Sequence, residues 1–342
     1  MMETVYLSHD SALAYWRAWS AEQGISVREF HNRNSRKTDD LPFRTFPTTS
    51  TLAGAVGTKT GIQAALRRSS LPLMTAECPL NVLGPRKPGA RSSRTVIYHH
   101  SSMRYPKGSF LRVADGVYVC APELVFAQMA DSLTFGALLA LGYELCGCYP
   151  IGEGSGRVCR PLTTPNRLAA FVAQLRGLRG AKKARVVARQ VKAKSASPAE
   201  TRLSALVATS RVHGGLGFTG VKLNEVISLN PVAQRIAHAS ALVGDAVWPD
   251  VGVVFEYDSA THHGCAPQIA RDSRRRSALG ANGLVTRSIT KEQMSNVLEF
   301  QETVLQTFRE AGIYAKRMGP KQLDRHMRLR HELWGAAKRA GR

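Results

Sequence analysis

Carboxylates in the C-terminal third of the chain fall in an order that has a chemical meaning. Asp245 lies near the start of Gly244-Asp-Ala-Val-Trp-Pro-Asp250, and Glu256 and Asp258 close the β-branched and aromatic run Val251-Gly-Val-Val-Phe-Glu-Tyr-Asp258. A turn between them lets two antiparallel strands present Asp245 and Glu256 to one ion, while Glu256 and Asp258, two residues apart, share a strand face. Acids at the end of an otherwise apolar strand are costly unless a cation or water meets them. Hard Mg²⁺ needs only one or two carboxylates and keeps open water positions, and such an ion can neutralise a scissile phosphate and activate water. Taken singly, each acid also has an ordinary use at a strand end or in a turn cap.

These residues need elements to hold them. Ser197-Pro-Ala-Glu200 reads as a capped helix start with Leu203, Leu206 and Val207 on the buried face. Ala270-Arg-Asp-Ser-Arg-Arg-Arg276 begins a helix that leads through Gly280 to Gly283 into the strand Leu284-Val-Thr-Arg-Ser-Ile289. Asp272 and Arg275 are spaced for one helix face, where an intrahelical pair is the ordinary use and a phosphate contact the sharper one.

Toward the N-terminus, Val-Tyr-Leu reads as a short strand followed by Ser8-His-Asp10 capping a helix that carries Leu13, Ala14, Trp16 and Trp19, and a second helical pattern covers Thr51 to Arg68. From Cys78 onward come short β-rich runs, Pro79 to Leu83, Arg94 to His99, Leu111 to Val113 and Val117 to Cys120, separated by Gly, Pro and Ser. Ala121-Pro-Glu-Leu-Val-Phe-Ala-Gln-Met-Ala130, with Pro in its first turn, and the apolar run Leu133 to Gly142 read as helices closing that domain. Gln174 to Lys194 holds eight basic residues and no acid, suited to phosphate contact or to a solvated linker. Lys316 to Arg342 holds nine basic residues and reads as an appended helix.

With 342 residues and 44% hydrophobic content the chain can bury more than one core. Lys and Arg number 47 against 25 acids, a net charge of +22 that concentrates polyanions around the molecule and points to nucleic acid. No run approaches the apolar length that spans a bilayer and the start lacks a signal peptide's pattern, so a cytoplasmic location without membrane partners is expected. The six cysteines are scattered; Cys146-Gly-Cys148 with Cys159 lacks the two-residue spacer and second knuckle of a zinc site, so free thiols are expected. Aromatics, 7% of the chain and dispersed, offer no stacking platform for single-stranded RNA.

Together, Ser197-Pro-Ala-Glu200, Gly244 to Asp250, Val254-Phe-Glu-Tyr-Asp258 with His262-His263, and Ala270 to Leu279 resemble the PD-(D/E)xK restriction-fold nucleases, specifically the very-short-patch-repair-like (Vsr-like) endonuclease branch. The resemblance covers about a third of the chain. It implies Asp245 and Glu256 as metal ligands, Glu200 as a helix acid facing them, and His262 as general acid or base; His263 would point to the other side of extended chain. Asp258 stands where the wider superfamily has Lys, so no Lys is assigned to orient water, and Ser259 stands where the branch usually has Gly.

A fainter resemblance, to the AbiEi-type antitoxin family, rests on Leu7-Ser-His-Asp-Ser-Ala-Leu13, Val96-Ile-Tyr-His-His100 and Gly116-Val-Tyr-Val-Cys-Ala-Pro-Glu-Leu124. It implies a winged-helix region and an α/β domain.

The expectation is therefore an α+β protein in five parts: a winged-helix or helical module at 1–75, a β-rich α/β domain at 76–173, a basic connector at 174–196, a nuclease core at 197–313 and a basic tail helix at 314–342. The core is expected as α/β/α on a short mixed sheet. Its expected activity is Mg²⁺- or Mn²⁺-dependent hydrolysis of DNA, with Glu200, Asp245, Glu256, Asp258 and His262 at the centre and Lys182, Lys183, Arg185 and Arg275 on the nucleic acid. The rival is a non-enzymatic DNA-binding regulator of antitoxin type that keeps the nuclease fold as a scaffold.

Overall fold

The computed structural model describes residues 4–22, 46–56, 60–63, 79–86, 90–149, 158–258 and 266–340. Helices and mixed sheets are both present, an α+β fold. The chain divides into two compact units, one of residues 1–146 and 150–191, the other of 147–149 and 192–342. Among the described residues no helix is long and apolar enough to cross a membrane.

The first unit is built on six strands: β1 (Val5–Leu7), β2 (Thr48–Thr49), β3 (Leu80–Gly84), β4 (Val96–His100), β5 (Phe110–Ala114) and β6 (Val117–Cys120), in the order β2-β5-β6-β1-β3-β4. β1 runs parallel to β6 and antiparallel to β3. The sheet therefore takes strands from both sides of residue 75, and the expected division there gives way to one unit because Val5, Tyr6 and Leu7 are buried between later strands. Of the helix expected over 51–68, residues 57–59 and 64–68 lie outside the described residues.

Helix α1 (His9–Glu22) packs on β3 and β6, where the fully buried Trp16 donates its indole N–H to the Cys120 carbonyl at 2.8 Å. The two helices read after Cys120 form as α2 (Pro122–Met129), with Pro at its start, and α3 (Phe135–Leu145). α4 (Pro165–Gln174) and α5 (Ala181–Ala188) follow.

The connector is part of this packing. Ala181, Ala184, Val187 and Ala188 of α5 are buried, Lys183 Nζ donates to the Leu133 carbonyl at 2.7 Å, and the Arg185 guanidinium donates to the carbonyls of Val172 and Leu175. The last contact places a cation on the orphan carbonyls at the C-terminus of α4, where the helix dipole favours it. Lys183 and Arg185 are thus committed to backbone, while Lys182 is exposed.

The second unit has four strands: β7 (Lys222–Ser228), β8 (Ala241–Trp248), β9 (Val253–Asp258) and β10 (Val285–Thr290), in the order β10-β9-β8-β7. β7, β8 and β9 form an antiparallel meander, and β10 joins β9 in parallel. A parallel neighbour needs a crossover, supplied here by α8 (Ala266–Ala281). The other helices are α6 (Pro198–Ala208), α7 (Pro231–Ala237), α9 (Lys291–Ser295), α10 (Val297–Glu310) and α11 (Pro320–Ala340).

The pleat of β9 separates two cores. Val254 joins Val247, Ile227, Ala233 on α7, and Ala278 and Leu279 on α8. Its neighbour Phe255 turns to Trp248 and to Phe308 of α10, whose ring lies 3.7 Å from Phe218 in a stack. Helices thus cover both faces of a short mixed sheet.

The basic tail is not appended to this unit but built into it. α11 packs against α6, and Leu329, Leu333, His326 and Arg330 are buried. Arg330 satisfies its charge on the Met294 carbonyl and over the Phe300 and Trp334 rings.

Candidate metal and acid centre

Asp245 occupies a break in the second unit's sheet. On one side the β7–β8 ladder pairs Leu223 with Ala246 and Glu225 with Gly244, skipping Asn224 and Asp245. Asn224 takes φ 47°, a left-handed conformation that Asn tolerates better than most side chains. On the other side the β8–β9 ladder ends at Ala246 and Phe255. Continuing that register by one residue sets Asp245 opposite Glu256. Here the Asp245 carboxylate, in place of a strand carbonyl, accepts the Tyr257 N–H at 2.8 Å. Local breaks of this kind re-aim side chains out of a ladder. Gly244 is required beside it: a Cβ there would meet Val247 Cγ2 at 2.6 Å.

Glu256 retains 19% side-chain exposure and accepts from the Arg275 guanidinium of α8 at 2.8 Å; the same guanidinium donates to the Val243 carbonyl. Glu200 is 9% exposed and heavily bonded. It accepts from the Ala196 N–H at 2.8 Å, the Ser197 hydroxyl at 2.9 Å and the Asn224 amide at 2.7 Å, while Ser197 Oγ accepts the Glu200 N–H. This is a variant of the reciprocal cap that opens many helices. Glu200 thereby holds the start of α6 to the break in β7.

The three acids act on one another. Burial raises Glu200 to about 7 and Asp245 adds to the rise, opposed by the hydrogen bonds from Ala196, Asn224 and Ser197. Burial also raises Glu256, with Asp245 pushing the same way and Arg275 opposing. Asp245 is raised by burial against the pull of the Tyr257 N–H and Arg275. Desolvated like charges raise each other in this manner because every ionisation makes the next one costlier. Arg202 of α6 lies close enough to Tyr257 to interact with it and stacks on Trp334, 5.0 Å from the ring centroid.

Of the residues singled out from sequence, Glu200, Asp245 and Glu256 are brought together. Asp258 is exposed at the end of β9, level with Thr290 of β10. His262 and His263 lie outside the described residues. Arg275, read from sequence as a nucleic-acid contact, is bonded to Glu256, and Lys183 and Arg185, read the same way, are bonded to backbone carbonyls. Asn224 gave no sequence signal, and the strand that carries it, β7, was not among those read from sequence.

Among the described residues no group of three or more His, Cys, Asp and Glu side chains is set to hold a metal ion. The donor chemistry of Asp245 and Glu256 nevertheless suits a hard cation, since two carboxylates with water suffice for Mg²⁺ and Glu256 keeps part of its side chain exposed. Cys120 and Cys159 are buried free thiols, and Cys146 and Cys148 are buried as well.

In the first unit the two motif segments read together, 7–13 and 96–100, meet in space. The His9 and His99 rings stack 3.6 Å apart, His99 Nε2 bonds Asn81 Oδ1 at 2.8 Å, and Ser11 Oγ accepts the Asn81 N–H at 2.7 Å. Burial, then His99, lowers His9 to about 3, which keeps the stack neutral.

No protein-family model, curated protein or solved structure matches the chain.

Proposed function

We propose that the second unit is a divalent-cation-dependent endonuclease that hydrolyses DNA phosphodiester bonds. One observation carries this reading: Asp245, lifted out of the ladder on both sides, faces Glu256 across the strand ends and raises both Glu256 and Glu200. A fold gains nothing by burying carboxylates against each other, and the arrangement becomes favourable once a cation is shared. Asp245 and Glu256 would hold Mg²⁺ or Mn²⁺, which supplies charge neutralisation at the phosphate and a more acidic water.

The chain's own residues do the rest. The Tyr257 N–H fixes one Asp245 oxygen, Asn224 and the helix cap fix Glu200 behind it, and Arg275 orients Glu256. Glu200 is a positioning residue in this scheme because its bonds are spent on backbone and neighbouring side chains. His262 remains the proposed proton donor or acceptor, and exposed cations such as Lys182 the docking groups for DNA. Supercoiled plasmid incubated with purified protein is expected to become relaxed or linear only when Mg²⁺ or Mn²⁺ is present.

A second reading is favoured by the completeness of the bonding around Glu200 and by the Arg275–Glu256 ion pair. If those contacts are the acids' whole purpose, the unit is the scaffold of a DNA-binding regulator of antitoxin type. Retention of duplex without cleavage in every metal would select that reading.

A further inference from the structure

Arg275 sits where a cation is wanted. Its guanidinium is 2.8 Å from Glu256 Oε1, is anchored on the Val243 carbonyl, and opposes the rise of both Asp245 and Glu256. The pair is only partly shielded, with side-chain exposures of 30% for Arg275 and 19% for Glu256, so water and ions reach it. Such a contact is exchangeable, because a partly exposed ion pair is modest in strength and a doubly charged ion at the same oxygens has the larger Coulomb attraction.

We propose that Arg275 is the resident counter-ion of the acid centre, holding Glu256 until a divalent cation displaces it, so that the guanidinium and the cation compete for one carboxylate. The proposal rests on the metal-dependent reading above and adds a sign to it. An Arg that merely braces the site would help the metal bind; a competing Arg hinders it. Displacement also frees a guanidinium beside the bound cation, where a phosphate oxygen can meet both charges.

The test is Mn²⁺ binding to the full-length protein stripped with chelator, read by the electron paramagnetic resonance signal of free Mn²⁺, for wild type, Arg275→Met, Arg275→Lys and Glu256→Gln. Arg275→Met is expected to bind Mn²⁺ on the order of tenfold more tightly, the equivalent of one charge-assisted contact between partly exposed groups. Arg275→Lys, which keeps the charge but loses the planar fork, is expected to fall between the two, and carries the test if the Met variant does not fold. Glu256→Gln should lose binding. Melting in chelator is expected to drop for Arg275→Met and to recover with Mn²⁺ by more degrees than wild type gains. Unchanged or weaker Mn²⁺ binding in both Arg275 variants, with wild type binding normally, would overturn the exchange and leave the nuclease reading standing. No Mn²⁺ binding by wild type or any variant would overturn both.

Discussion

Glu123 in the first unit and Asp245 and Glu256 in the second are acids drawn into protein, and they are treated in opposite ways. Glu123, 3% exposed, accepts from the Thr163 hydroxyl at 2.6 Å and the Arg167 guanidinium at 3.3 Å. One charge meets one charge and one donor, a closed structural pair joining α2 to α4. In the second unit Asp245 is set against Glu256 and Glu200, and Arg275 answers only part of the surplus. Glu123 is individually paired, whereas Glu200, Asp245 and Glu256 raise one another, and the proposed cation site rests on that difference.

The sharpest way to break this contrast is substitution at the centre. Asp245→Asn and Glu256→Gln are each expected to lower metal-dependent cleavage by about 10³-fold or more, because each removes a ligand on which the ion's charge neutralisation and water activation depend. Metal-free melting should stay equal or rise for Asp245→Asn, which removes like-charge repulsion, whereas Glu256→Gln also takes the charged acceptor from Arg275 and gains less. Initial rates on plasmid and thermal melts check the two halves.

At Glu123 the expected result reverses. Glu123→Gln should cost about 1 to 3 kcal/mol in chemical denaturation, as Arg167 and Thr163 lose a charged acceptor, with cleavage per folded molecule unchanged.

Acid dependence sharpens the comparison further. Glu200 is raised to about 7 from its ordinary 4.5, so between those values the folded state binds more protons than the unfolded one and metal-free stability falls as pH rises. His326, buried and lowered from 6.5 to about 4 by desolvation, works in the opposite direction: the unfolded state binds the proton first, and stability rises with pH across that window. Glu200→Gln is expected to remove its share of the falling slope, on the order of 2 kcal/mol between pH 4.5 and 7, leaving the remaining fall from Glu256 and Asp245 set against the His326 rise. Urea midpoints at half-unit pH steps would fall less steeply toward neutrality in Glu200→Gln than in wild type. An unaltered curve would mean that Glu200 ionises normally.

The smallest effect is expected on the surface. Lys182→Glu should flatten the salt dependence of duplex binding by about one to two phosphate contacts, each contributing ~0.9 to the logarithmic slope. Lys183→Glu should instead loosen the fold, because its ammonium is bonded to the Leu133 carbonyl.

The local grammar of the second unit was legible in sequence. The Ser197 cap, the β-branched run to Asp258 and the helix that returns through Gly283 to β10 all follow from short-range pattern, and that order alone puts Asp245 and Glu256 on neighbouring strands. What pattern could not supply was partnership. The Asn224 flip, the commitment of Glu200 to a cap and the reach of Arg275 from α8 to Glu256 depend on contacts 19 to 32 residues apart in the chain. Unit boundaries failed for the same reason: a three-residue strand such as Val5–Leu7 carries too little sequence to announce that it pairs with β3 and β6. Charge misled as well, since Arg185 looks like a phosphate ligand in sequence and caps backbone carbonyls in the fold.

The most direct measurement compares plasmid cleavage by wild type, Asp245→Asn and Glu123→Gln side by side, in Mg²⁺ and in chelator, at a temperature where all three are folded. Wild type and Glu123→Gln are expected to cut only with Mg²⁺, and Asp245→Asn to bind the plasmid without cutting it. Cleavage by Asp245→Asn at the wild-type rate would contradict a metal centre at the break in β8.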